Sequence, residues 1–81
     1  MTKFQLLHGL EKAGVLHVLT CEGVISPRIC IRYERYKAFL EFYHAHPNEK
    51  RSHLIIDWSI KMCLSTQSIY EDIRLMEKVI L

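Results

Sequence analysis

Five histidines and three cysteines are the side chains with which this chain could ligate a metal or pair a nucleophile with a base. Structural zinc is usually held by ligands at short spacing, as in CxxC or HxxxH, because one turn or one helix face must present two of them together. The one close pair here is His44 and His46 in "HAH", while His8, His17 and His53 are scattered and Cys21, Cys30 and Cys63 lie far apart. The simpler reading is exposed or half-buried imidazoles and buried thiols, so no metal and no cofactor are expected. Gly9, Gly14 and Gly23 are isolated, which leaves no Gly-rich phosphate loop, and no two carboxylates stand as an acid–base pair. The chain reads as a binding protein and not as an enzyme.

A polar break near the C-terminus is more informative. "LSTQS", residues 64–68, separates two apolar-periodic segments within "IIDWSIKMCLSTQSIYEDIRLMEKV". Two helices that cross steeply through a short turn need a small side chain where their backbones approach, and Ser59 supplies it. Apolar residues on both sides of the turn must fill the wedge, a task assigned to Met62, Leu64 and Ile69. Ser65 is placed to cap the second helix. Cys63 occupies a turn position where glycine is common because the backbone there often takes a positive φ. A competing start lies in "SIYE", whose Ser68 and Glu71 also have capping-box spacing.

The elements that must position these residues are all helical. Thr2 and Gln5 have capping-box spacing, which predicts a first helix over about Thr2 to Ala13 that stops at Gly14. "VLHVLTCEGVIS" suits either a short helix or a strand-turn-strand, and the helix is preferred. Ser26 as N-cap and Pro27 at the first helical position open a helix of about 20 residues, closed by Pro47. Its stripe is Ile29, Tyr33, Tyr36, Leu40 and Tyr43. After the linker-like "PNEKRS", Ser52 is expected to cap a helix bearing Leu54, Ile55, Trp58 and Met62, with Trp58 as the central core residue. The last helix should carry Ile69, Ile73, Met76 and Ile80.

At 81 residues the chain fits one domain with one thin core. Eleven Lys and Arg against nine Asp and Glu give +2, too mild a charge to imply a polyanion partner by itself. Position has to carry that argument. Three cysteines without a secretory segment favour a reducing, cytoplasmic setting, and no apolar run approaches the ~20 residues of a membrane span. On the long helix Arg28, Arg32 and Arg35 form a stripe, read as a solvated face in preference to phosphate contacts, with Lys37 expected to pair with Glu41. The aromatics Tyr33, Tyr36, Phe39, Phe42 and Tyr43 suit core or dimer contact better than a stacking platform for single strands.

The run from Ile55 to Met76 resembles the small bacterial helix-turn-helix DNA-binding domains of the tri-helical, homeodomain-like type found in small regulators and transposition proteins. Ser59, Met62, Cys63, Leu64, Ser65, Thr66, Gln67, Ser68 and Ile69 fall in order into that family's slots. The resemblance implies an all-α domain in which residues 26–81 form the tri-helical core and residues 1–25 a helical N-terminal arm. It also implies that the last helix lies in the major groove of double-stranded DNA.

Ser65, Thr66, Gln67, Tyr70 and Arg74 would then contact DNA, with Gln67 suited to adenine N6 and N7 and Arg74 to guanine or phosphate. Glu71 and Asp72 oppose phosphate approach. Lys50 and Arg51 are expected to add positive charge. So short a reader calls for a homodimer or a partner protein, with "LLHGLEKAGVLHVL" as the interface. No β-wing is expected after the last helix. A helical protein-interaction module without DNA binding is the alternative.

Overall fold

The computed structural model describes residues 1–80 and is all-α. Five helices follow in order: α1 (Lys3–Lys12), α2 (Leu16–Cys21), α3 (Pro27–His44), α4 (Arg51–Met62) and α5 (Thr66–Met76). Three of the starts are set locally, as the sequence suggests. Thr2 and Gln5 form a reciprocal capping box, Ser26 accepts from the Arg28 N–H with Pro27 behind it, and Ser65 accepts from the Ser68 N–H. The ambiguous segment after Gly14 is the short helix α2.

Helices α1, α2 and α4 share one way of stopping. At each, a residue in the left-handed region, Gly14 (φ 78°), Gly23 (φ 77°) or Cys63 (φ 55°), reverses the chain. The N–H groups of that residue and the next fold back on the last turn: Gly14 to Glu11 and Val15 to Leu10, Gly23 to Thr20 and Val24 to Leu19, Cys63 to Ile60 and Leu64 to Ser59. This is the Schellman pattern, which satisfies helix-end carbonyls.

Helix α3 forms the spine. One core cluster gathers Leu7, Leu16, Tyr33, Tyr36 and Met76, so α1, α2, α3 and α5 all contribute to it. The second holds Phe39, Ile55, Trp58 and Ile69, joining α3, α4 and α5, and half-buried Ile73 packs against both. Burying side chains of this size contributes about 1.5–3 kcal/mol each, more than any one cap. Residues 1–25 are packed into this core. Leu7 and Leu16 are spent there, so of the apolar segment expected at a dimer interface, Leu6, Val15 and Val18 are the large apolar side chains left exposed.

A polar chain reinforces the α1–α3 contact. The Tyr33 hydroxyl donates to Glu11 Oε1 (3.1 Å), which also receives Lys37 Nζ (2.7 Å), and His8 Nδ1 lies 3.1 Å from the same hydroxyl. A phenol has one hydrogen, so with Glu11 as its acceptor His8 Nδ1 must be the donor. Lys37 thus pairs across helices with Glu11, not with Glu41 as i, i+4 spacing suggests.

Three further expectations are corrected. Helix α4 begins at Arg51, with Lys50 as an N-cap that makes no side-chain bond, and Ser52 lies inside it. Arg51 reaches Glu77 and stacks over Tyr43 from that first turn, contacts that offset the ~1 kcal/mol of a missing cap. Met62 is 45% exposed. The wedge beside the turn is filled by Trp58, Leu64 and Ile69 against Phe39. Finally, α5 ends at Met76, and Ile80 lies beyond it. Val79 instead stands opposite Thr2 in an isolated antiparallel bridge, flanked by Lys3 N–H to Lys78 O (3.0 Å) and Ile80 N–H to Met1 O (2.9 Å). β-branched Val79 and Ile80 favour that extended path.

Candidate functional site

The α4–turn–α5 unit is built by backbone geometry. Cys63 takes the left-handed conformation (φ 55°, ψ 39°), and Ser65 is extended (φ −71°, ψ 149°), which starts α5 at Thr66 and not at the alternative start marked by Ser68. The Ser65 hydroxyl accepts from the Ser68 N–H (3.1 Å) and donates to Ser68 Oγ (2.8 Å). Its single hydrogen is thereby committed to the cap.

Helix α5 is divided sharply between two faces. Ile69, Asp72 and Met76 are buried, with Ile73 half-buried beside them, while Thr66, Gln67, Tyr70, Glu71 and Arg74 are exposed. At 3.6 residues per turn these five form one strip opposite the core. The Gln67 amide donates to Glu71 Oε1 at 3.3 Å, so the two residues act as a joined pair on that strip.

Asp72 belongs to neither the strip nor the solvent. Its side chain is 5% exposed and accepts from Arg35 Nη2 at 2.9 Å, with Arg32 Nε 3.8 Å away. A buried carboxylate needs such partners because desolvation would otherwise be costly. The arginine stripe of α3 is therefore split. Arg35 is turned against α5 with its Nε buried, Arg32 leans toward the same carboxylate, and Arg28 is exposed with no side-chain partner among the described residues. The inward role of Asp72 had a signal in the sequence, since it shares a helix face with Ile69 and Met76.

Lys50 and Arg51 stand apart from Gln67. Arg51 makes an ion pair with Glu77, whose Oε2 also accepts from the Tyr36 hydroxyl at 2.7 Å, and its guanidinium lies 5.9 Å from the Tyr43 ring centroid. Partial burial would raise the Glu77 carboxyl, but hydrogen bonds from Tyr36 and Arg51 and the Arg51 charge outweigh it and hold the group below its ordinary range. Burial first, and then the bond to Glu77, push the Tyr36 phenol above its own. Lys50 is exposed beside Arg51. Glu77 follows the last residue of α5, whereas Gln67 lies near its start, about 15 Å back along the axis.

The remaining aromatic residues are accounted for by packing. Tyr33, Tyr36, Phe39 and Trp58 are core, and Phe42 is covered by Trp58, His46 and Lys61. Among the described residues no three His, Cys, Asp or Glu side chains gather where they could hold a metal ion, and no helix is long and apolar enough to cross a membrane. Compared with known protein families, curated proteins and solved structures, the chain matches none of them.

Proposed function

We propose that this chain binds double-stranded DNA through the exposed strip of α5, as a small helix-turn-helix protein of the kind that regulates transcription or accompanies mobile elements. The observation that carries this reading is the sorting of α5: Thr66, Gln67, Tyr70 and Arg74 face outward beside a tight left-handed turn, and Asp72 is withdrawn to Arg35. The strip thereby keeps Glu71 as its one acid.

In this reading Ser65 fixes the start of the helix and Thr66 and Gln67 enter the major groove first. Gln67 leaves Glu71 to pair with adenine, and Arg74 takes a guanine or phosphate. Arg51 has no part in reading bases, since Glu77 holds it, and Lys50 touches the backbone at most. Few base pairs can be read by one strip, so the active form is a homodimer or a complex with a second protein.

A second reading, a helical protein-interaction module, is favoured by Ile56 and Ile60, which are 51% and 73% exposed one turn apart on α4. Titration onto mixed-sequence duplex DNA at several salt concentrations separates the two. The DNA reading expects binding that falls steeply with salt; no salt-dependent binding even at about 50 mM would exclude it. Gln67→Ala should cost about 1–3 kcal/mol at one base position and relax preference there, measured by competition between single-base variants of a bound site.

A further inference from the structure

The strip on α5 carries little positive charge of its own, and Arg51, at the far end of α5 from Gln67, is already paired with Glu77. The missing charge lies on its flank. Two shallow grooves run side by side between the start of α3 and the end of α5 and meet at Arg32 and Leu75. One is lined by Arg32, Glu71, Arg74, Leu75 and Lys78, and the other by Ser26, Arg28, Ile29, Arg32 and Leu75.

Together the grooves bring Arg28, Arg32, Arg74 and Lys78 around a single acid, Glu71. Arg28, Arg74 and Lys78 have no side-chain ion-pair or hydrogen-bond partner among the described residues. Arg32 is a remote second to Arg35 at Asp72, 3.8 Å against 2.9 Å, which leaves most of its guanidinium for another acceptor. The first turn of α3 has no acidic residue. Its positive end and the negative end of α5 roughly cancel, about half a charge each, so the side chains decide the sign.

We propose that this α3–α5 groove is the track for the phosphate backbone of duplex DNA, with Arg28, Arg32 and Lys78 gripping one strand while α5 faces the bases. The proposal rests on the duplex-binding reading of α5. Its geometry ties the two together, because Glu71 and Arg74 belong both to the exposed strip and to the groove. A duplex met by the strip must therefore pass its backbone along these cations. Arginine suits the task, since its planar fork matches phosphate oxygens.

The test is a double variant, Arg28→Ala with Lys78→Ala, chosen because both side chains are exposed and unpaired, so that the fold is kept; circular dichroism and thermal melting check this. Binding to mixed-sequence duplex DNA is measured over a range of salt and compared with wild type and with a charge-matched control, Lys12→Glu, which shifts the net charge by the same two units at an exposed site on α1. Each lost phosphate contact should reduce the slope of log K against log salt by about 0.9. The groove variant is expected to lose about 1.8 and to weaken on all sequences alike, while the control keeps most of its slope. An unchanged slope in the groove variant, or an equal loss in the control, overturns the groove while leaving the α5 reading standing. Absence of duplex binding by the wild type overturns both.

Discussion

Cys63 is the residue at which the chain does what glycine does elsewhere in the same molecule. Gly14 and Gly23 close their helices with the same two backbone bonds, yet only Cys63 does so with a Cβ in the left-handed region. That conformation costs an L-residue roughly 1–2 kcal/mol, and the exposed thiol recovers little by packing. Cys63→Gly should therefore stabilise the domain by about 1 kcal/mol, part of the gain being lost to the freer unfolded chain. In a domain of this size that is a rise of about 4–8 °C in Tm. Cys63→Val, β-branched at the same φ, should lower Tm; a Gly variant that melts no higher than wild type would mean the strain is absent.

Between elements, the α3–α5 contact combines apolar packing with the Asp72 pair, and the two partners are not equivalent. Arg35→Met strands a buried carboxylate with only the distant Arg32, whereas Asp72→Leu frees two arginines that are about one-third exposed and can turn to water. The first should cost about 2–3 kcal/mol and the second less, and the double variant should recover most of the loss, measured by urea denaturation. Additive losses would show that the pair is not coupled. This contact also marks where the sequence stops being legible. Helix starts at Thr2, Ser26 and Ser65 and the stop at Gly14 are local chemistry, written in adjacent residues. The start of α4, the end of α5 and the partners of Lys37 and Arg51 are decided by groups far along the chain. Glu77 draws Arg51 into the first turn of α4, and Thr2 takes Val79 out of the last helix. The exposed strip of α5 was legible except at Asp72, which the sequence sets beside Glu71 as a second acid facing phosphate and which folding turns onto Arg35. The groove beside the strip was not legible, because Arg28 and Lys78 are distant in the chain and only folding brings them together.

For the molecule as a whole, two carboxylates hold α1 and the end of α5 against the rest. Lys37, with help from Tyr33, lowers the Glu11 carboxyl against a smaller opposing effect of burial, and Tyr36 and Arg51 lower Glu77. A depressed folded pKa means that the unfolded chain takes up protons first as the solution is acidified. The stabilisation is thus complete above the ordinary glutamate value near 4.5 and is lost as pH falls below it. Wild type should lose denaturant resistance from about pH 5 downward more steeply than Glu11→Gln with Glu77→Gln; parallel acid limbs would refute the assignment. The Thr2–Val79 bridge carries a mechanical consequence. The two chain segments it joins run antiparallel and Met1 pairs with Ile80 at the outer edge, so tension applied between these two segments loads the outer hydrogen bond before the inner one. The seam would unzip bond by bond, and the helices would feel the force only after it had parted.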